Sequence, residues 1–260
     1  MLKRLWQNIG AARAGRTGAD STIVVANPLR AFAEKNTDGR LMDKWVHYFD
    51  IYHRHFNRFR GQAITMVEIG VFNGGSLRMW RDYFGTTSTI VGVDINAECA
   101  RYAEPGVQIV IGDQSDRGFL GELRARFPSI SALVDDGGHH MHQQITTFEE
   151  MYPHLTSDGV YLCEDVHTSY HTHFGGKLGQ ADTFVERTKT MIDRLNAWHI
   201  PGAALPPDEF TRTTDSLHFY SGVVVIERHA QQAPLERAYG TMRDFRYVAP
   251  SLAGRLYAPH

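Results

Sequence analysis

Two short runs carry most of the chemistry available to this chain, Leu133-Val134-Asp135-Asp136-Gly137-Gly138-His139-His140 and Leu162-Cys163-Glu164-Asp165-Val166-His167. Each is an apolar segment ending in adjacent carboxylates, with histidine two or three residues further on. If Asp136, Glu164 and Asp165 are brought together they repel one another unless a cation lies between them. Oxygen ligation with open positions suits Mg²⁺, with Mn²⁺ or Ca²⁺ as substitutes. A residue three positions after Asp136 projects toward the same spot across a short turn, and that residue is His139. An alcohol is too weak an acid to lose its proton unaided at neutral pH. Coordination to a divalent ion lowers its pKa, and a nearby histidine can then take the proton. Zinc held by His139, His140 and His142 is the rival arrangement, but it leaves the carboxylates without a role. His142 fits a helix start or a surface position, and His140 stays open between the two readings.

The two acidic ends meet only if their runs are neighbouring parallel strands, since ligands in open α/β sheets sit at the carboxyl ends of strands. The remaining sequence supplies such a sheet. Thr65-Met66-Val67-Glu68-Ile69 runs into the Gly-rich turn Gly70 to Gly75, and Ser76 to Phe84 then takes helical spacing with Leu77, Trp80 and Phe84 on one face. Glycines at 70, 74 and 75 let the backbone turn and a ligand approach closely, while the free N–H groups of the new helix favour an electron-rich ligand. The dinucleotide fingerprint G-x-G-x-x-G fails because Phe72 stands at its second glycine. What remains, E-x-G-x-x-x-G-G, resembles motif I of class I S-adenosylmethionine methyltransferases. In that family the acid, here Glu68, lies near the methionine end of the cofactor.

Further strands are expected at Ser88–Asp94, Val107–Ile111, Ile130–Val134 and Asp158–Cys163, with helices at 116–127, 142–154 and about 184–198. Asp94 lies 24 residues beyond Gly70, where a nucleotide fold places a carboxylate against ribose, and this position suits S-adenosylmethionine and NAD equally. The loop Gly112-Asp113-Gln114-Ser115 meets the adenine in methyltransferases, so Asp113 or Gln114 is a candidate contact; alternatively Asp113 or Ser115 caps the following helix. Ser216–Tyr220 and Val223–Glu227 are separated only by Ser221-Gly222, which permits an antiparallel pair and forbids a parallel crossover. The fold class is therefore α/β: a class I methyltransferase Rossmann-like sheet of seven strands, mostly parallel, closed by an antiparallel C-terminal hairpin. Upstream, apolar and aromatic residues at 41, 45, 48, 49, 52, 56 and 59 predict one helix covering the sheet edge; bordering the cofactor with its polar start, Asp38 to Lys44, is the second reading, which spacing does not show.

At 260 residues with 42% hydrophobic content the chain has enough material for one large domain, divided here into an appendage (1–40), the methyltransferase domain (41–228) and a tail (229–260). Lys plus Arg (27) nearly balance Asp plus Glu (29), so charge suggests no nucleic-acid partner. Cys99 and Cys163 lack metal-type spacing and read as buried thiols of a reducing compartment. Residues 1–15 form neither a signal peptide nor a membrane span, which points to a cytoplasmic protein without a membrane partner.

A wider set of motifs names a family. Asp43-Lys44-Trp45 with His47-Tyr48-Phe49, the long motif I through S-L-x-M-W-R-D-Y-F, V-D-D-G-x-H, E-D-x-H-T-S-Y and S-L-H-F-Y together are similar to the metal-dependent sugar O-methyltransferases of macrolide tailoring, of the mycinamicin and tylosin type. The related rhamnosyl O-methyltransferases, the cephalosporin-hydroxylase-like group and enzymes that methylate mannosides resemble it too. The resemblance covers roughly residues 40–228. It implies Mg²⁺ on Asp136, Glu164 and Asp165, a base at His139, and a sugar diol as acceptor beside His140, His167 and Tyr170. For S-adenosylmethionine it implies contacts from Glu68, Gly70, Gly74, Ser76, Asp94, Asp113, Gln114 and Asp135. The expected reaction is methylation of a saccharide hydroxyl, by an enzyme expected to be a homo-oligomer. A catechol-type O-methyltransferase is the alternative within the class, and an NAD-dependent oxidoreductase the alternative outside it.

Overall fold

The computed structural model describes residues 27–202 and 204–240. Most of the expected appendage, residues 1–26, and the tail beyond residue 240 lie outside the described residues.

The described residues form a seven-stranded sheet from β1 (Thr65–Ile69), β2 (Thr89–Asp94), β3 (Val107–Ile111), β4 (Ile130–Asp135), β5 (Leu155–Cys163), β6 (Thr214–Tyr220) and β7 (Val223–Arg228), in the order β3-β2-β1-β4-β5-β7-β6. The pairs among β1 to β5 are parallel, and β7 runs antiparallel to both β5 and β6. This is the predicted class I sheet with its closing hairpin. Seven α-helices cover it: α1 (Pro28–Lys35), α2 (Tyr48–Phe56), α3 (Gly75–Phe84), α4 (Arg117–Arg126), α5 (Met141–Met151), α6 (Phe184–Leu195) and the short α7 (Glu209–Thr213).

The two faces follow from strand alternation. Met66, Ile90, Val134 and Leu162 pack with Tyr52, Phe56, Trp80 and Phe84, whereas Val67, Val91, Leu133 and Tyr161 pack with Leu120, Phe148, Phe184 and Met191. Leu77, Trp80 and Phe84 are fully buried, as their spacing predicts. Cys99 and Cys163 are buried free thiols.

Three expectations need correction. The helix read from Leu41 begins only at Tyr48; Leu41 and Trp45 are 51% and 52% exposed, and residues 41–45 cross the cleft as a loop. That path is tight, because a Cβ on Gly75 would meet the carbonyl oxygens of Arg40 and Leu41 at 2.6 Å. Strand β5 starts at Leu155, three residues early, pairing there with Ile130. Helix α4 is capped by neither Asp113 nor Ser115: Asp116 Oδ1 accepts from the N–H groups of Gly118 and Phe119, and Asp113 instead accepts from the N–H and hydroxyl of Ser115.

Candidate active site

Register brings the acidic ends side by side. Ile69 pairs with Asp135 and Asp135 with Cys163, and the ladder runs one residue further: Asp136 N–H donates to Ile69 O and Glu164 N–H to Asp135 O, both at 2.9 Å. Asp136 and Glu164 thus leave adjacent strands at the mouth of the sheet. The turn beside them is packed against protein backbone, since a Cβ on Gly70 (φ 96°) would lie 2.0 Å from Asp136 O. At the failed second glycine, Phe72 holds φ 51°, the conformation that a glycine takes without strain.

Three carboxylate-bearing and imidazole groups converge there. Asp136, His139 and Asp165 each offer a ligand atom within 4.8 Å of the others, and His139 Nε2 lies 3.8 Å from Asp136 Oδ1 and 3.8 Å from Asp165 Oδ2. His139 and Asp165 sit at φ 59° and 51°, in the left-handed region, and Thr168 ties the two loops together: its single hydroxyl proton lies between their carbonyl oxygens, 2.8 Å from Asp165 O and 3.0 Å from His139 O. Tyr48 OH donates to Asp165 Oδ1 at 2.7 Å. His139 Nε2 is the nitrogen that faces the carboxylates, and Nδ1 is buried with no hydrogen-bond partner among the described residues.

Glu164 has different partners. Its Oε1 accepts from Tyr52 OH at 2.6 Å, and its two oxygens accept from Lys44 Nζ at 2.9 and 3.1 Å. The same ammonium lies 2.5 Å from Asp136 Oδ2 and 3.5 Å from Glu68 Oε1. Burial lowers the pKa of Lys44; the Asp136 and Glu164 carboxylates outweigh it and hold the amine well above the ordinary lysine range. A cation therefore already stands where Asp136 and Glu164 converge. Lys44, Tyr48 and Tyr52 receive no role from sequence spacing, although tyrosines rather than leucines at 48 and 52 in a buried stripe are the available signal.

The cofactor candidates divide into floor and wall. Gly70, Ser76, Asp94, Asp113 and Gln114 line a cleft of about 340 Å³, with Phe72, Ile95 and Lys44 along it. Glu68 lies fully buried beneath, accepting from Ser76 OH at 2.6 Å and Trp80 Nε1 at 3.1 Å, and burial raises its pKa. Asp94 already braces the turn: Oδ2 accepts from Val71 and Phe72 N–H at 2.9 and 3.1 Å, and Oδ1 accepts from Asn96 N–H. Gly74 (φ 72°) turns the chain into α3 against the Tyr102 ring. Asp135 points to the opposite face from Val134, under the cleft, where Gln114 and Tyr161 donate to it; burial pushes its pKa up to about 6 against those hydrogen bonds.

Of the residues expected beside the acceptor, His167 has its Nδ1 3.9 Å from Asp165 Oδ1, and burial lowers the pKa of the ring. Exposed Trp45 meets that ring edge-on with centroids 6.3 Å apart, and Tyr170 is half exposed nearby in the chain. His140 packs against Phe174 at 5.4 Å, and its N–H donates to Gln143 Oε1 at the start of α5.

The oxygen-rich donor set, with a protein ammonium standing among its carboxylates, fits a hard divalent cation such as Mg²⁺. The residues that would hold it are Asp136 and Asp165, with Glu164 once Lys44 yields it.

Comparison with known proteins places this geometry. No protein-family model matches. The chain is 39% identical over 199 residues to the 8-demethyl-8-alpha-L-rhamnosyl tetracenomycin-C 2'-O-methyltransferase of Streptomyces olivaceus, covering 72% of this chain and 52% of that one. It is 34% identical to the demethylmacrocin O-methyltransferase of Streptomyces fradiae, covering 74% and 52%. The MycE methyltransferase of mycinamycin biosynthesis, solved with Mg and S-adenosylhomocysteine, superposes with a TM-score of 0.72 at 28% identity over 78% of this chain and 55% of that one. The chain spans about half the length of the curated relatives it matches. Over the matched residues the chain has the class I methyltransferase fold and is similar in sequence to the macrolide and tetracenomycin sugar O-methyltransferases.

Proposed function

We propose that the protein transfers a methyl group from S-adenosylmethionine to a saccharide hydroxyl, with Mg²⁺ at Asp136, Glu164 and Asp165. The observation that carries this reading is the convergence of Asp136, His139 and Asp165 at the end of the cofactor-sized cleft. Relatives named for methylation of rhamnosyl and macrolide sugars support the acceptor class. Held there, the metal would supply positive charge that makes the acceptor hydroxyl more acidic, and S-adenosylmethionine would supply an already activated methyl group.

The chain's own residues do the rest. The turn at Gly70 to Gly75 and the wall from Asp94 to Gln114 hold and orient the donor, so that positioning supplies much of the acceleration. Tyr48 and Tyr52 fix the carboxylates from behind through their hydroxyls. His139 Nε2 faces the space between Asp136 and Asp165 and accepts the acceptor's proton as the methyl group transfers in line. Trp45, His167 and Tyr170 border the acceptor and favour a ring with an apolar face.

The test is transfer of labelled methyl from S-adenosylmethionine to a panel of rhamnosides, mannosides and deoxysugar glycosides, with catechol as the aromatic control. Turnover of a glycoside that stops in EDTA and returns with Mg²⁺ is expected. Turnover of catechol alone, or full glycoside activity in EDTA, would overturn the reading.

A further inference from the structure

A second cluster of ligand-type side chains lies outside the cleft, where α2 packs on the β6–β7 hairpin. His55 on α2, His218 on β6 and Glu227 on β7 each offer a ligand atom, and the three atoms lie within 4.8 Å of one another. The His55 ring is buried, its centroid 4.6 Å from that of His218, and its Nδ1 lies 2.5 Å from Glu227 Oε1.

What distinguishes this cluster from a chance meeting is that each member has its other polar atom fixed from outside. His55 Nε2 is 2.9 Å from Tyr220 OH, His218 Nε2 is 3.0 Å from Ser216 Oγ, and Glu227 Oε2 accepts from Arg58 Nη1 at 2.7 Å. Outer partners of this kind set the tautomer and direction of metal-binding imidazoles and carboxylates. They leave His55 Nδ1 and Glu227 Oε1 facing each other, with His218 as the third ligand-type residue and its Nδ1 the ring nitrogen not taken by Ser216. Two nitrogens and one oxygen are borderline ligands, unlike the oxygen set of the cleft, and they suit Zn²⁺, Co²⁺ or Ni²⁺ over Mg²⁺. Bonds of about 2.0–2.1 Å in a tetrahedron separate ligand atoms by roughly 3.3 Å. The His55–Glu227 pair therefore has to open by less than about 1 Å, within reach of the Glu227 torsions.

We propose that His55, His218 and Glu227 form a second metal centre, a two-histidine, one-carboxylate site for Zn²⁺ or a similar dication with its fourth position open to water. Its effect is to staple α2 to the hairpin. Helix α2 also carries Tyr48 and Tyr52, whose hydroxyls hold Asp165 and Glu164, so the staple stiffens the frame behind the acidic cluster without touching it.

The proposal stands independently of the methyl-transfer reading. Protein saturated with Mg²⁺ and S-adenosylhomocysteine is titrated with Co²⁺, whose tetrahedral complexes absorb strongly in the visible. One equivalent should develop the band, Zn²⁺ should bleach it, His218→Gln should abolish it, and Asp136→Asn should leave it intact. Glu227→Gln, which keeps the shape of the side chain, is the second variant should His218→Gln fold poorly. Absence of the band in the wild-type protein, its survival in both cluster variants, or its loss in Asp136→Asn would overturn the proposal.

Discussion

Replacing Lys44 by Met tests whether its ammonium serves as the resident counter-ion of the acidic cluster. Nζ lies 2.5 Å from Asp136, 2.9 and 3.1 Å from the two oxygens of Glu164 and 3.5 Å from Glu68, and the Lys44 side chain is 3% exposed. Methionine fills similar volume, so the change removes charge more than packing. Removing one partner from a buried ion pair costs about 3–5 kcal/mol, because the other charge is left uncompensated. Three carboxylates share this ammonium and one of them, Asp136, keeps 22% side-chain exposure, so about 4 kcal/mol is a fair expectation at neutral pH. For a domain of this size each kcal/mol moves Tm by about 2–4 °C, giving a loss of roughly 8–16 °C in EDTA. A divalent cation should replace the missing charge. In thermal melts Lys44→Met should therefore recover at least half of its loss on addition of Mg²⁺, and should gain more from Mg²⁺ than the wild type does. A loss smaller than about 2 °C in EDTA, or a loss that Mg²⁺ leaves unchanged, would refute the counter-ion argument.

Four further outcomes are expected. His139→Ala should lower kcat by about 10²- to 10⁴-fold while S-adenosylhomocysteine affinity by calorimetry stays within error, and near-normal turnover would remove His139 from proton transfer. Tyr48→Phe, which deletes the hydroxyl on Asp165, should weaken Mg²⁺ activation by about 10- to 100-fold, the usual effect of losing an outer-shell partner; an unchanged Mg²⁺ titration would count against metal at Asp165. Trp45→Ala should raise KM for the glycoside several-fold with KM for S-adenosylmethionine unaltered, and equal changes in both would move Trp45 off the acceptor side. Gly70→Ala should abolish stable folding or cofactor binding, since its Cβ would meet Asp136 O at 2.0 Å in a backbone at φ 96°; a fully stable, active variant would show that the β4 exit loop is free to move.

The order of strands and helices is legible because alternation and helical spacing are local properties, and the short Ser221-Gly222 link alone forces β7 to run antiparallel to β6. The acidic ends are legible for the same reason, each terminating an apolar run. Residues 41–47 read wrongly because Leu41 and Trp45 extend the α2 periodicity by accident; nothing in spacing says that a loop must leave the helix to carry Lys44 over the sheet. Tyr48 and Tyr52 do lie on the buried stripe as read, but their hydroxyls meet carboxylates more than 100 residues away, a relation only the folded chain creates. Asp94 shows the converse. Its position is correctly placed at the end of β2, yet its oxygens are engaged with backbone N–H groups of the turn that a cofactor would share.

Phe72, His139 and Asp165 are the described non-glycine residues with positive φ; Phe72 lines the cleft, and His139 and Asp165 converge with Asp136 at its end. Each such backbone costs of order 1–3 kcal/mol relative to a relaxed one. Glycine at 139 or 165 would relieve that strain and delete the imidazole or the carboxylate of the Asp136–His139–Asp165 cluster. Under the proposed mechanism, a library of this scaffold sorted for thermostability alone would therefore drift toward well-folded, inactive proteins. Sorting for turnover would, under the same mechanism, hold both local energy penalties in place, so the two selections would pull apart at the positions proposed for chemistry.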